Sequence, residues 1–154
     1  MANLAQMVNV LQAVVLTNQQ KIIRTPTYHV MEMYNVHQDA TLIPLQLQST
    51  AYSFQGQTLN AISASASKNR EGTIHISLVN IDAHAPQTVT IHVANTALQN
   101  ISGRILTSNT LQQYNSFEEP EKVSPQVFSQ FSISGQEIKV TLPPFSVVVL
   151  KIIP

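Results

Sequence analysis

The hydrophobic residues of this chain change their period near Pro44, and that change constrains the fold more than any other feature. In the first 40 residues Leu4, Met7, Val8, Leu11, Val14 and Val15 recur at spacings of three and four. That spacing stacks side chains on one face of a helix, and it predicts a helix over residues 2–16. Asn18-Gln19-Gln20 interrupts the pattern, and Lys21-Ile22-Ile23-Arg24 follows as an apolar run of strand length. Pro26 lacks the N–H that a strand ladder needs but suits the first turn of a helix. Thr25 then becomes its N-cap, and Val30, Met31, Met33, Tyr34 and His37 carry the helix to about Gln38. Residues 2–38 therefore read as helix, strand, helix, a piece of an α/β architecture.

Beyond Pro44 the period is two. Ile74, Ile76 and Leu78 alternate with Thr73, His75 and Ser77, and Val89, Ile91 and Val93 alternate in the same way. Paired as a hairpin about Ala83-His84, these strands would set Ile76 opposite Ile91 and His75 opposite His92. Further strands are expected at 49–55, 59–67, 101–108, 127–133, 137–142 and 146–153, with a long loop between Ser108 and Val127. The near-continuous apolar run Val147 to Ile153 suits a strand covered on both faces. Many short strands at regular spacing predict a mainly β fold, a β-sandwich or jelly roll, preceded by the short helix–strand–helix segment.

Composition narrows the function. Only 10% of residues are charged and eight basic side chains balance eight acidic ones, so no basic patch is expected to meet nucleic-acid phosphates. With 44% hydrophobic residues the chain is not of the disordered class. No apolar run reaches the roughly 20 residues of a helical membrane span. Without cysteine, disulfides and thiolate metal sites are excluded.

Candidate chemistry is sparse. Glu118 and Glu119 are adjacent and would point apart on an extended segment, so with Glu121 around Pro120 they read as an exposed acidic turn rather than as a catalytic pair. Glu32 and Asp39 read as surface or capping residues. His75 and His92 could meet across two strands, but a metal needs a third ligand and none is at hand. His29 and His37 lie eight apart, and each reads as a neutral histidine packed under a neighbouring element. The four glycines form no phosphate-binding loop, and no nucleophile elbow is present. The chain has no Trp; Tyr52 and Tyr114 are the aromatic candidates for a sugar platform in its second half, and both read as core or loop-packing residues. No cofactor and no metal are expected.

Specific blocks of the sequence resemble a known family. Ala2 to Gln12, Thr25-Pro26-Thr27-Tyr28-His29-Val30-Met31-Glu32-Met33-Tyr34 and His37 to Thr41 are similar to the last stretch of the catalytic barrel of family 51 glycoside hydrolases, the α-L-arabinofuranosidases. Asn115-Ser116-Phe117-Glu118-Glu119-Pro120-Glu121-Lys122-Val123-Ser124-Pro125 and Leu142 to Leu150 are similar to motifs of that family's C-terminal domain. The resemblance implies two parts: residues 1–42 as the end of a (β/α)₈ barrel and residues 43–154 as a C-terminal β-sandwich. Residues 2–16 would be the seventh barrel helix, Lys21 to Arg24 the eighth strand and residues 27–38 the eighth helix. Barrel sites lie at the C-terminal ends of strands, so Arg24 and Thr25 would stand at the rim of the sugar pocket as substrate-binding residues. Some relatives carry Gln after the Arg, where it contacts sugar; Thr25 stands there in this chain, with N-capping as its other role. The acid/base and nucleophilic glutamates of such a retaining enzyme would precede Met1.

The chain is accordingly expected to be a non-catalytic part of an arabinofuranosidase. Its partners would be the rest of the barrel and, through the whole enzyme, arabinose-containing polysaccharide. Residues 1–40 are expected to cover their apolar face on the sandwich or by self-association. A carbohydrate-binding or oligomerisation module is the alternative.

Overall fold

The computed structural model describes Leu4, residues 6–94, Leu98 and residues 100–154. The chain opens with a short hairpin of β1 (Val15–Asn18) and β2 (Lys21–Arg24), followed by helix α1 (Pro26–Tyr34) and a 3₁₀ turn at Asn35–His37. Among the described residues eleven strands come next. They are β3 (Thr41–Leu42), β4 (Ala51–Phe54), β5 (Gln57–Asn60), β6 (Ile62–Lys68), β7 (Ile74–Asn80), β8 (Gln87–His92), β9 (Asn100–Leu106), β10 (Gln126–Phe128), β11 (Phe131–Ser134), β12 (Glu137–Leu142) and β13 (Ser146–Ile153).

Two sheets make a sandwich. One has six strands in the order β10-β9-β13-β7-β6-β3, and the other has three, β11-β12-β8. Between them lies one apolar cluster. Ile62, Ala66, Ile74, Ile76, Leu78, Ile105, Val148, Leu150 and Ile152 come from the larger sheet, and Ile138, Val140 and Leu142 from the smaller. The larger sheet is covered on its other face too. There Met33 of α1 packs with Leu106, Val123 and Val149, joined by Val30, Tyr34, Val36 and Val147. Strand β13 thus sends Val148, Leu150 and Ile152 into the sandwich and Val147 and Val149 toward the helix, which is the strand covered on both faces that its apolar run predicted. Gly103 makes this packing possible where β9 meets β10. A Cβ there would stand 3.0 Å from both the Phe128 ring and its carbonyl oxygen, and 3.1 Å from Leu150, so any larger residue would have to push β10 and Leu150 back by a few tenths of an ångström.

Several expectations are corrected. The single strands expected at 59–67 and 127–133 are each two: β5 ends at Asn60 before β6 begins at Ile62, and β10 and β11 lie in different sheets. Residues 2–16 were expected to form a helix, yet the described residues of that stretch are irregular up to β1. Its β-branched valines are poor helix formers, and Asn9 turns the backbone at φ 53°. The Asn9 side chain donates to the Thr17 hydroxyl at 2.9 Å and accepts from the Thr17 N–H at 2.7 Å, the local competition that takes Asn out of helices. Part of that helix (residues 2, 3 and 5) lies outside the described residues. The strand at residues 21–24 and the second helix formed where the sequence placed them, so the opening segment is strand, strand, helix.

The hairpin joining residues 73–79 to 87–94 does not form. β7 pairs with β6 and β13, while β8 pairs with β12 in the other sheet. Ile76 stands beside Ala66 and Leu150, and Ile91 beside Ile138. An inward-facing alternation is the same whether two strands are neighbours in one sheet or face each other across a sandwich. The pattern fixed the face of each strand but not its partner. Asn80 builds the crossing corner: its buried amide donates to the carbonyls of Ala85, Leu142 and Pro143 and its oxygen accepts from the Asp82 N–H. His75 therefore neighbours Ser67 and Lys151, and His92 neighbours Glu137, so the expected histidine pair is absent.

Candidate functional site at the end of β2

The chain changes from strand to helix within two residues, and polar groups from distant parts of the sequence converge there. Thr25 is the N-cap of α1, with Pro26 in the first helical turn. Its hydroxyl lies 2.7 Å from the Ala13 carbonyl oxygen and 3.0 Å from that of Val14, and accepts from the Tyr28 N–H at 3.4 Å. The Thr25 side chain is thus occupied inside the fold, in the role that the cap pattern predicted.

Arg24 is held from three sides. Its Nη2 donates to Glu121 Oε1 at 2.9 Å, and its guanidinium lies 5.7 Å from the centre of the Tyr28 ring, within cation–π range. Its carbonyl accepts from Asn115 Nδ2 at 2.9 Å. Asn115 is 2% exposed; it also donates to the Val123 carbonyl and accepts from the Val123 N–H. One asparagine therefore closes the loop 115–123 on itself and ties it to the end of β2. The hydrogen bond from Arg24 to Glu121, and after it their charge attraction, raises the Arg24 pKa further above its ordinary value.

Beside Arg24 opens a cavity of about 390 Å³, lined by Arg24, Tyr28, His29, Glu32, Arg104, Glu121, Ser124 and Pro125. Arg104 grips Glu32 with both nitrogens, at 2.8 and 2.9 Å. That bidentate bond holds the Glu32 carboxyl below the usual carboxylate range. His29 is buried, and burial lowers its pKa; its Nε2 has no hydrogen-bond partner among the described residues. The cavity thus combines two arginines, each already bound to a carboxylate, with a neutral imidazole. Such a lining can hold hydroxyl groups. Each carboxylate of the lining is engaged by an arginine, Glu32 by Arg104 and Glu121 by Arg24.

Other polar groups hold the fold together. His37 sits between the hydroxyls of Ser67 and Ser77, each at 2.6 Å, the packed histidine that its helix position suggested; burial lowers its pKa. The acidic turn is exposed as expected, but Glu119 pairs with Lys122 and Glu121 with Arg24. Among the described residues no group of three His, Asp or Glu could hold a metal ion. Asn115, Arg104 and the Arg24–Glu121 pair escaped the reading of spacing, because the partners lie up to 97 residues apart. Only the block Asn115 to Pro125, already singled out for its resemblance, marked that loop. Tyr114 corrects the sequence reading: it is 69% exposed rather than packed.

Residues 1–146 match the family model described as the alpha-L-arabinofuranosidase C-terminal domain. The chain belongs to that family. Over 153 residues this arabinofuranosidase C-terminal domain is 46% identical to an intracellular exo-alpha-L-arabinofuranosidase of Bacteroides ovatus, covering 99% of the chain and 30% of that enzyme. It superposes on the GH51 arabinofuranosidase of Xanthomonas axonopodis pv. citri with a TM-score of 0.95 at 42% identity, covering 99% of the chain and 31% of the other. An arabinofuranosidase of Thermotoga maritima, solved with arabinose, shares the fold at a TM-score of 0.84 and 24% identity, covering 98% and 33% of the two chains. The chain therefore spans about a third of the length of these relatives and corresponds to the C-terminal part of GH51 arabinofuranosidases.

Proposed function

We propose that this chain is the non-catalytic C-terminal part of an α-L-arabinofuranosidase that removes terminal arabinofuranosyl residues from arabinose-containing polysaccharides by a retaining two-glutamate mechanism. The family match over residues 1–146, at about a third of the length of the relatives, carries this reading. In it, residues 1–42 complete the catalytic barrel and residues 43–154 form the accessory sandwich. The rest of the barrel covers Met7, Val8, Leu11 and Ile22, which are 49–103% exposed, more apolar surface than an isolated segment of this size usually leaves in water. Arg24 stands at the pocket rim, oriented by Glu121 and Asn115. Thr25 shapes the same rim by capping α1 rather than by offering its hydroxyl to sugar.

The test is a chimera in which this chain replaces the matching 153 residues of the Bacteroides ovatus enzyme. The chimera is expected to hydrolyse an aryl α-L-arabinofuranoside, and the isolated chain to release nothing. In the chimera Arg24→Ala is expected to raise KM more than it lowers kcat. Arabinose release by the isolated chain, confirmed pure by intact mass, would sink the reading.

A further inference from the structure

The loop between β9 and β10 carries a second cavity, of about 270 Å³, separate from the one beside Arg24. Tyr114 stands at it with 69% of its surface exposed. The ring is not on a slack loop. Gln113 N–H donates to the Thr110 carbonyl on one side, and Ser116 N–H donates to the Glu119 carbonyl on the other. The next residue is Asn115, buried and bound at both ends of its amide. A solvent-facing aromatic ring carried on a hydrogen-bonded turn is the platform on which the C–H face of a sugar ring stacks.

The rest of the lining suits the same ligand. Gln113 Oε1 accepts from the Asn109 N–H at 3.1 Å, so the amide that lines the cavity has its N–H donors still to use. Gln112 lies beside it, also at the cavity. The charges there cancel, since Lys122 is paired with Glu119. A lining of one aromatic face, two amides and a neutralised ion pair recognises an uncharged polyhydroxyl chain rather than an anion or a cation.

We propose that the Tyr114 cavity is a sugar-binding subsite for a neutral oligosaccharide, in which Tyr114 stacks on one ring while Gln112 and Gln113 bind its hydroxyls. Glu121, which lies between the lining residues Glu119 and Lys122, is bound to Arg24, so the subsite and the pocket rim share one short stretch of loop. The subsite would hold a part of the polysaccharide away from the bond being cut. The choice of sugar rests on the reading above; the existence of the subsite does not.

The experiment titrates α-1,5-linked arabinotriose, with xylotriose alongside, into the isotope-labelled 154-residue chain and follows amide shifts by NMR. One of the two sugars is expected to move the signals of residues 110–116, with a Kd on the order of 1 mM, as suits a small open site. Tyr114→Ala is expected to weaken that binding at least tenfold, and Tyr114→Phe, which keeps the stacking face, to retain most of it. Tyr114 is exposed, so an unchanged amide spectrum elsewhere verifies that each variant is folded. No shift with either sugar overturns the proposal, as do shifts that persist in Tyr114→Ala. Shifts confined to Arg24, Tyr28 and His29 also overturn it while favouring the rim reading, and the activity of the chimera tests that reading independently.

Discussion

The two faces of the six-stranded sheet are built from the same alternating strands and do different work. On the face toward the smaller sheet, β6, β7, β9 and β13 present Ala66, Ile76, Ile105 and Leu150 in one apolar layer. On the face toward α1 the same strands present Ser67, Ser77, Arg104 and Val149. There Ser67 and Ser77 bond to His37, Arg104 bonds to Glu32, and Val149 packs against Met33. The first face resists water by packing alone. The second adds directed bonds to a smaller apolar layer, and it is the one that positions the strand–helix junction. A sheet can therefore take its stability from one side and its specificity from the other.

That contrast breaks first at Leu150 and Val149, neighbours in one strand. Leu150 is fully buried in the sandwich, so Leu150→Ala is expected to cost about 2–5 kcal/mol. Val149→Ala, at 7% exposure against the helix, removes less surface beside a layer that bonds keep in place and is expected to cost clearly less. Urea unfolding with an unchanged m-value measures both. Equal losses would mean that the helix face is as dependent on packing as the sandwich face.

The second way to sharpen the comparison is acid. Burial lowers the pKa of His29, His37 and His75, and all three belong to α1, its 3₁₀ extension or the strand face beneath them. A histidine with a folded pKa below the unfolded value of about 6.5 binds fewer protons folded than unfolded. Stability is then fully present above that unfolded value and is lost as pH falls below it. The thermal midpoint is expected to be level from pH 8 to 7 and to drop below about pH 6.5. His37→Gln should lower the midpoint at pH 7 yet flatten that drop. An acid response unchanged by His37→Gln would assign it to the other two histidines.

Much of this division was legible in the sequence. Alternation told which residues of β7 and β8 face inward, because burial on one side imposes a period of two, and β9, β12 and β13 lie where strands were expected, whereas β10 and β11 were read as one strand. The Thr25-Pro26 cap and the second helix were legible because capping is local. Partners were not. Whether Ile76 and Ile91 meet within a sheet or across the core depends on the corner that Asn80 folds, and a single asparagine gives no periodic signal. The opening stretch misled for a related reason: the spacing of Leu4, Met7, Val8 and Leu11 fits a helix, but the Asn9–Thr17 bonds and the valine-rich backbone favour another path. At the site, Thr25 could be read from neighbours two or three residues away, whereas Arg24 depends on Asn115 and Glu121, contributed by a loop that carries no periodic pattern.

The smallest expected effect lies at the Glu32–Arg104 pair, where the helix face meets the cavity. Both side chains are nearly half exposed, at 41% and 49%, so solvent screens the attraction and the pair is worth at most about 1 kcal/mol despite its bidentate geometry. Arg104 holds the Glu32 pKa below its ordinary value, so this contribution is present above the unfolded pKa of about 4.3 and fades as pH falls through the folded one. It therefore disappears at lower pH than the histidine contribution does, and the two can be separated on one titration. Glu32→Gln should leave the step below pH 6.5 in place and reduce only the loss near pH 4. Half-molar salt should shrink the difference between Glu32→Gln and the unmodified chain at pH 7, because screening acts on exposed charges. A salt-independent difference would mean that the bidentate bond acts through its geometry, fixing α1 on β9, rather than through its charge.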